Sequence, residues 1–567
     1  MTTHNPLSGL LGVVFALLTS TFAAQTAPLR YWVEFTSKTN PPAGFEATPF
    51  NTSEPLAFLS QRAIDRRFAQ GIGINEDDLP VAPSYLEALE NVEGVLNLLV
   101  TSKWLNAATI QVADSSFDPE VLEDLAFVNS VRSVGVWPIP REPESLAPTR
   151  QLDTASYGAG WVPLAQLGGD WLHEQGHLGT GKWIAVIDAG FEFADVLPVF
   201  DAAHAANRIH EGLDALQNPS VYGHHRHGTY VLGTMAANLE DSLIGTAPEA
   251  DYWLYRSENA FSEYLIEEDY WIYAAEHADS VGVDLINTSL GYSLFDDPEM
   301  NHSPSELNGL TTRISQGMTM AADRGILCVT SAGNSGASEW HNITAPADAH
   351  GILAVGAVNA WGQHAAFSGF GPSADGRVKP EVMALGVAAG FPYIDSTIHF
   401  GNGTSFASPI LCGLAACLWE AHPEATSSEI REAIIQSASL YTQPNDSMGY
   451  GIPDFQWADA WLHVNASLPD DVPIAFQKSQ VFPQPAAQQF EVSGSWLDSE
   501  MLWSIYQLNG QLFDHGFTAV LPGAAERRGR MIIAPMQPPE PGLHLLMLQG
   551  KNHPENIEFL PVMFSGD

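Results

Sequence analysis

The chain has 567 residues and carries 66 acidic against 23 basic side chains, which gives a formal net charge of −43. Such an excess of carboxylate repels phosphate groups, and it argues against nucleic acid and anionic membranes as partners. With 45% hydrophobic and 10% aromatic residues, the chain is too apolar to be disordered and too long for a single core, so several folded domains are expected.

Residues 1–24 predict a secretory signal peptide, and therefore a secreted or cell-surface protein. The apolar run Leu10–Leu18 precedes the small residues Ala23 and Ala24, and it is too short to span a bilayer. The segment Met1–Pro6 lacks the basic residues that usually open such a peptide, and a buried core helix is the alternative. No later run reaches about 18 apolar residues, so no membrane span is expected.

Residues 25–150 predict a small α+β unit. Strand-like segments at Tyr31–Phe35 and Ala108–Val112 enclose a helical stretch, Glu54–Gln70, and a further helical segment runs from Pro119 to Phe127. The stretch Arg141–Thr154 contains Pro, Glu and Ser residues. That composition predicts an exposed linker at which the chain can be processed.

Residues 151–468 predict a parallel sheet flanked by helices, which is an α/β fold. Short apolar runs alternate with helical patterns, as expected for strands that are buried on both faces. The predicted strands are Trp183–Ile187, Tyr252–Tyr255, Val283–Ile286, Ile326–Thr330 and Ile352–Val355. Ligands bind beyond the carboxyl ends of strands in such sheets. Asp188, Asn334 and the segment Ser289-Leu290-Gly291 each follow one of these ends, which predicts a functional site at one edge.

Three segments of this region carry the groups that can activate a serine. They are Ile187-Asp188-Ala189-Gly190, His227-Gly228-Thr229-Tyr230-Val231 and Gly403-Thr404-Ser405-Phe406-Ala407-Ser408-Pro409. A serine hydroxyl becomes a nucleophile when an imidazole takes its proton and a carboxylate orients that imidazole. Ser405 also opens a helical run, whose N-terminus offers unpaired amides to a developing oxyanion. A fourth segment, Ser331–Gly336, lies between the His and Ser segments.

The order Asp, His, Ser resembles that of the subtilisin-like serine proteases, the subtilase or peptidase S8 family. The fourth segment matches the oxyanion-hole motif of that family. The resemblance implies a secreted serine endopeptidase that forms an acyl-enzyme, with Asp188, His227 and Ser405 as a triad and Asn334 as an oxyanion donor. The family usually has Ser or Thr in place of Ala189, so the loss of one hydrogen bond near Asp188 is expected.

The same resemblance implies polypeptide substrates that pair with the backbone of Ser289, Leu290 and Gly291. Leu290, Ala332 and Gly333 are then expected to line the primary specificity pocket. No acidic residue occurs in these segments, so we expect a broad or apolar preference. The chemistry requires no cofactor. A surface protein that keeps the fold but binds peptide or polysaccharide without turnover is the alternative function.

An α+β unit ahead of such a protease resembles the inhibitory propeptide of the family. The resemblance implies a zymogen in which residues 25–150 act as the protein's own inhibitor. An unrelated N-terminal domain is the alternative.

Residues 474–567 alternate in polarity around Asn509-Gly510, a strong hairpin signal, and predict a small all-β sandwich. The layout resembles the C-terminal sorting domain of type IX secretion cargo, which implies the secretion machinery as a partner. The matching motifs are Phe482-Pro483-Gln484-Pro485-Ala486, Leu508-Asn509-Gly510-Gln511 and Pro541-Gly542-Leu543-His544. That domain usually has Asn in place of Gln484 and a basic end, which is absent from Phe564–Asp567. A generic β-sandwich that binds carbohydrate is the alternative.

Two further patterns raise the question of metal ions. His173-Glu174-Gln175-Gly176-His177 matches a zinc-protease pattern in which two His one helical turn apart bind the metal. Gly176 predicts a helix end at Gln175 and a turn that carries His177 away from His173, so we expect no zinc site. Acidic clusters such as Phe295–Glu299 are candidates for structural calcium, as in many relatives. Their spacing matches no EF-hand loop, and a solvated surface loop is the alternative.

Overall fold

A computed structural model describes residues 29–113, 116–135 and 156–467, with side chains up to residue 463, and eight strands between residues 479 and 564. The predicted signal peptide, the linker Arg141–Thr154 and the turn at Asn509-Gly510 lie outside the described residues.

The N-terminal unit is an antiparallel sheet with the strand order β2-β3-β1-β4. Its elements are β1 (Arg30–Phe35), α1 (Gln61–Ala69), α2 (Pro83–Glu90), β2 (Val95–Ser102), β3 (Ala107–Val112), α3 (Glu120–Glu123) and β4 (Val128–Gly135). Helix α1 starts later than predicted because the Ser60 side chain accepts the Ala63 amide as an N-cap, and the preceding residues Pro55–Ala57 form a separate 3-10 turn.

The central region is built on a seven-stranded sheet with the order β13-β12-β11-β10-β5-β9-β6, in which every adjacent pair is parallel. The sheet and its helices confirm the predicted α/β fold. The elements up to β10 are α4 (Trp161–Gln166), α5 (Gly169–Glu174), β5 (Trp183–Asp188), α6 (Asp201–Ala205), β6 (Ile209–Asp214), α7 (His227–Ala236), β7 (Asn238–Leu239), β8 (Leu243–Ile244), β9 (Asp251–Arg256), α8 (Ile266–Val281) and β10 (Leu285–Thr288). The remaining elements are α9 (Arg313–Asp323), β11 (Leu327–Ser331), β12 (Leu353–Val358), β13 (Val382–Leu385), β14 (Ala389–Pro392), β15 (Ile398–Gly401), α10 (Thr404–Ala421), α11 (Ser427–Gln436) and α12 (Phe455–Ser467).

Helix α10 is the core helix of this region. It packs against strands β10 to β13 and against α7. Among the described residues it is the helix whose length and composition would suit a membrane span, but 89% of it is buried inside the protein. A helix that is apolar all round is expected in such a position. Cys412 and Cys417 of α10 and Cys328 of β11 are free and buried.

The N-terminal sheet lies on α8, where Glu276 binds its backbone. One carboxylate oxygen of Glu276 accepts hydrogen bonds from the Ser102 hydroxyl at 2.6 Å and the Trp104 amide at 3.0 Å, and the other accepts the Lys103 amide at 2.9 Å. Two turns earlier, Asp269 accepts the Thr109 hydroxyl at 3.0 Å. A single face of α8 therefore holds two strands of the N-terminal unit.

A buried ion cluster adds to this interface. Asp279 of α8 pairs with Arg66 at 2.6 Å, Arg67 at 2.6 Å and Lys103 at 3.6 Å, and the side chains of Asp279, Arg66 and Arg67 are at most 3% exposed. Burial alone would raise the pKa of Asp279, but these cations together hold it below its ordinary value. Arg66 and Arg67 of α1 are thus interface residues.

The C-terminal region contains two four-stranded antiparallel sheets, with the orders β16-β17-β21-β20 and β19-β18-β22-β23. The strands are β16 (Ser479–Phe482), β17 (Phe490–Gly494), β18 (Glu500–Gln507), β19 (Leu512–Ala519), β20 (Leu521–Pro522), β21 (Gly529–Ile533), β22 (Gly542–Gly550) and β23 (Ile557–Phe564). Strands β18 and β19 pair antiparallel on either side of the predicted Asn-Gly turn. The two sheets contact each other through β16 and β23 and through β19 and β21.

Candidate active site

Asp188 and His227 form the acid–imidazole pair that the sequence predicts. Asp188 is the last residue of β5 and is 1% exposed. Its Oδ1 accepts a hydrogen bond from Nδ1 of His227 at 2.7 Å and one from the Ala189 amide at 2.8 Å. Its Oδ2 is buried and has no hydrogen-bond partner among the described residues. Ala189 has no hydroxyl that could donate to this oxygen.

His227 is held at the first position of α7 by glycines. The Gly228 amide donates to the Gly190 carbonyl at 3.0 Å, and a Cβ at position 228 would lie 2.6 Å from that oxygen. Only a residue without a side chain lets the helix approach the Asp188 loop so closely. Because Nδ1 of His227 is protonated toward the carboxylate, the proton-accepting role falls to Nε2.

Ser405 lies at the start of α10, one strand away from this pair. Its hydroxyl donates to the Ser289 carbonyl at 3.1 Å, and the Ser289 hydroxyl donates to the Ser405 carbonyl at 3.0 Å. Strand β10, which precedes Ser289, is the neighbour of β5, with Thr288 opposite Ile187. Adjacent strands are about 4.8 Å apart, so Ser405 and Asp188 share the carboxyl edge of the sheet.

The side chain of Asn334 and the amide nitrogen of Ser405 lie near a common point at the start of α10. The Asn334 Oδ1 accepts the Thr404 amide at 2.9 Å and the Thr404 hydroxyl at 3.0 Å, which fixes the Nδ2 group as the outward donor. Nδ2 of Asn334 and the Ser405 amide nitrogen each lie 3.7 Å from the point where a Cβ of Gly403 would stand. Two N–H donors at the N-terminus of a helix can stabilise an oxyanion in that space.

The two predicted substrate-binding segments both contact Thr344, a residue that no sequence motif predicts. A Cβ on Gly333 would lie 2.6 Å from the Thr344 hydroxyl, and a Cβ on Gly291 would also collide with it. Thr344 is 4% exposed and its hydroxyl has no hydrogen-bond partner among the described residues. Leu290 is 7% exposed and Ala332 is buried. Thr344 therefore lies behind both predicted segments, and no local motif marks it.

Glu258 places a second carboxyl group near the pair. It follows β9 by two residues, and the amide of the intervening Ser257 donates to the Asp188 carbonyl at 3.0 Å. The Tyr292 hydroxyl donates to Oε1 of Glu258 at 3.0 Å. Burial raises the pKa of Glu258 to about 7, and the negative charge of Asp188 adds to the rise.

The zinc-protease pattern does not form a metal site. Helix α5 ends at Glu174, and Gly176 adopts a left-handed conformation with φ of +89°. The His173 ring is buried and contacts the Thr246 carbonyl and the Tyr157 hydroxyl, both at 3.0 Å. His177 instead lies 3.8 Å from Glu420. The predicted end of the helix explains why the two imidazoles separate.

The acidic stretch Phe295–Glu299 is held by hydrogen bonds. Asp297 accepts the Glu299 amide as a cap at 3.1 Å, and Asp296 accepts the Glu263 amide at 3.1 Å. Within the described residues, the groups whose donor atoms converge as a metal site requires lie elsewhere.

Two known domain families match the chain. The subtilase family matches residues 179–451, and the Bacteroidota peptidase S8 propeptide domain matches residues 30–146. The thermostable alkaline protease of Halalkalibacterium halodurans is 30% identical over 294 residues, which cover 52% of this chain and 70% of that protein. Subtilisin NAT of Bacillus subtilis subsp. natto is 31% identical over 297 residues, covering 52% and 70%. A subtilisin of Bacillus pumilus is 30% identical over 297 residues, covering 52% and 97%.

Proposed function

The chain belongs to the subtilase family of serine proteases, and on that premise we propose that it hydrolyses polypeptides through a triad of Asp188, His227 and Ser405. The observation that carries this function is the 2.7 Å contact between the Asp188 carboxylate and Nδ1 of His227 at the sheet edge where Ser405 begins α10.

In the proposed reaction, the Ser405 hydroxyl turns from the Ser289 carbonyl to Nε2 of His227 and gives up its proton as it attacks the scissile carbonyl. Asp188 stabilises the imidazolium that forms. His227 then protonates the leaving amine, which leaves an acyl-enzyme on Ser405, and water releases the acyl group by the same steps in reverse. No cofactor takes part in this sequence.

We assign the oxyanion to Asn334 Nδ2 and the Ser405 amide. Thr404 positions the Asn334 donor, because its amide and hydroxyl hold the Asn334 oxygen and the same hydroxyl accepts the Gly333 amide at 3.2 Å. Extended substrates would pair with the backbone of residues 289–291, and Thr344 would form the floor of the primary pocket.

The triad is tested by labelling with a fluorophosphonate. We expect modification at Ser405 in the parent protein and none in Ser405→Ala or His227→Ala, whereas Ser305→Ala, at an exposed serine, should label normally. Turnover of Ser405→Ala should fall by about 10⁶, a magnitude known from subtilisin. A parent protein that folds but does not label would instead indicate a binding protein without turnover.

For the whole chain we propose a secreted zymogen with four parts. They are a signal peptide (1–24), an inhibitory propeptide (25–150), a catalytic domain (151–468) and a C-terminal sorting domain for type IX secretion (474–567). Support comes from the matched propeptide family and from the N-terminal sheet on α8. For the sorting domain the support is two paired antiparallel sheets and three sequence motifs.

Mass spectrometry of the exported protein tests these boundaries through its mature termini. We expect one new N-terminus in or just after the linker Arg141–Thr154. In a host with type IX secretion, deletion of residues 474–567 should abolish export and leave peptidase activity in the cell. Export of the truncated protein would favour a generic β-sandwich with another role.

A further inference from the structure

Three carboxylates outside the proposed triad converge where the segment after β9 meets the first turn of α8. One oxygen from each of Glu258, Glu263 and Glu267 lies within 4.8 Å of the other two. Two oxygens on opposite sides of a Ca²⁺ ion are about 4.6–5.2 Å apart, since each Ca–O distance is about 2.3–2.6 Å. The spacing therefore suits oxygen ligands around a single cation of that size.

The buried member of the group is incompletely satisfied. Glu267 is 2% exposed, and its Oε2 has no hydrogen-bond partner among the described residues. Its other oxygen accepts only a long contact of 3.4 Å from the Asn259 amide. A buried carboxylate oxygen without a partner is costly, and the cost is removed when a cation binds it.

Hydrogen bonds hold the Glu258 carboxylate and the Glu263 backbone in place. Tyr292 donates to one oxygen of Glu258 at 3.0 Å, and Asp296 accepts the Glu263 amide at 3.1 Å. Glu258 and Glu263 are half-buried, so an ion has a route from solvent. Asp296 belongs to the acidic stretch Phe295–Glu299. It positions the loop at Glu263 and is not one of the three converging groups.

We infer that Glu258, Glu263 and Glu267 bind one Ca²⁺ ion beside the catalytic Asp188. All the ligands are carboxylate oxygens, which a hard cation prefers, and three carboxylates supply up to about six of the 6–8 oxygens that Ca²⁺ takes. Mg²⁺ is a poorer match because it keeps several waters and uses one or two carboxylates. The second metal-compatible group of the described residues, His422, Asp459 and His463, offers imidazole nitrogens and suits a softer ion.

The location gives the ion a structural consequence. The stretch from Ser257 to Glu267 carries the three carboxylates and includes Tyr264, and the Ser257 amide donates to the Asp188 carbonyl. A Cβ on Gly135, the last residue of β4, would lie 3.0 Å from Tyr264. The ion would thus fix a segment that lies between the catalytic acid and the end of the N-terminal sheet.

The test uses the full chain carrying Ser405→Ala, so that the protein cannot digest itself and binding is read without activity. Calcium stoichiometry and affinity are measured by isothermal titration, and melting temperature is measured in EDTA and in CaCl₂. The two test variants are Glu258→Gln and Glu267→Gln. The matched control is Glu299→Gln, which makes the same charge change in the exposed acidic stretch.

We expect each test variant to bind one Ca²⁺ ion fewer than the parent, or to bind it at least about tenfold more weakly. In EDTA the test variants should melt at or above the parent temperature, because a neutral amide then replaces a buried acid that has no cation to pair with. In CaCl₂ they should melt below it. Glu299→Gln should follow the parent in both buffers. An unchanged stoichiometry and affinity in both test variants would overturn the inference, as would a parent whose melting temperature does not respond to calcium.

Discussion

Asp279 provides the sharpest test of how the propeptide domain is held on the catalytic domain. The substitution Asp279→Asn keeps the shape of the side chain and removes its charge. Arg66, Arg67 and Lys103 of the propeptide domain would then face an amide in a buried interface. Each contact is worth about 4 kcal/mol of Coulomb attraction at 4 Å and an effective dielectric constant of about 20.

The net effect is smaller than that sum, because the ions also lose their hydration when the interface forms. Removing one partner of a buried ion pair costs about 3–5 kcal/mol, since the remaining charge stays buried without compensation. At about 1.4 kcal/mol for each factor of ten, the propeptide domain should bind about 150- to 4,000-fold more weakly to Asp279→Asn. Glu276 and Asp269 retain their hydrogen bonds, so binding should weaken without being abolished.

The assay is inhibition of the mature peptidase by the separately prepared propeptide domain, with a small chromogenic peptide as substrate. The control is Asp65→Asn in the propeptide domain, an exposed Asp on α1 whose carboxylate accepts a hydrogen bond from Gln61 of the same helix. It should change the inhibition constant by about twofold at most. The reasoning is refuted if Asp279→Asn shifts the inhibition constant by less than tenfold while kcat/KM stays normal.

The site and the interface lead to further testable expectations. Asn334→Asp keeps the oxygen that Thr404 holds but removes the N–H donor, so kcat should fall by about 10²–10³, a magnitude known from subtilisin. Thr404→Val removes the hydroxyl that holds Asn334 and should lower kcat about tenfold, and Thr404→Ser, which keeps the hydroxyl, should restore it. Thr344→Gly should open the pocket floor and shift peptide-library cleavage toward larger side chains, while an unchanged profile would place Thr344 outside the pocket. Because the pKa of Asp279 is lowered, its contribution to propeptide binding is present above the ordinary Asp range and is lost only as pH falls through the lowered value. Binding to a Ser405→Ala protein, followed by fluorescence anisotropy, should therefore persist as pH falls through about 4, where ordinary carboxylates titrate.

The parts that sequence predicts well are those with a local physical signal. The apolar run before Asp188 predicts a buried strand, and the structure has β5 at Trp183–Asp188. Strands β9, β11 and β12 likewise lie within a few residues of the predicted runs. The sequence pattern does not predict strand β6. This edge strand is half-exposed, and its sequence, Ile-His-Glu-Gly-Leu-Asp, contains no apolar run.

Residues whose role depends on distant partners could not be predicted in the same way. Arg66 and Arg67 on α1 look like ordinary surface residues, yet their shared partner Asp279 is more than 200 residues away. Thr344 is similar, since only the folded chain brings it against Gly291 and Gly333. Such contacts produce no sequence periodicity and no local motif, because they are determined by long-range packing and not by the local backbone.

The segment from Ser257 to Ile266 shows why long-range contacts matter for function. Its first amide bonds the backbone of Asp188, Glu258 meets Tyr292, and Tyr264 lies against the last residue of β4. Glu258 and Glu263 lie in this connection and Glu267 lies in the first turn of α8. A cation bound to all three would make the connection rigid where Asp188, the residues after β10 and the propeptide domain meet. The stability of that loop is therefore expected to depend on calcium in the zymogen and, after the propeptide domain leaves, in the mature peptidase as well.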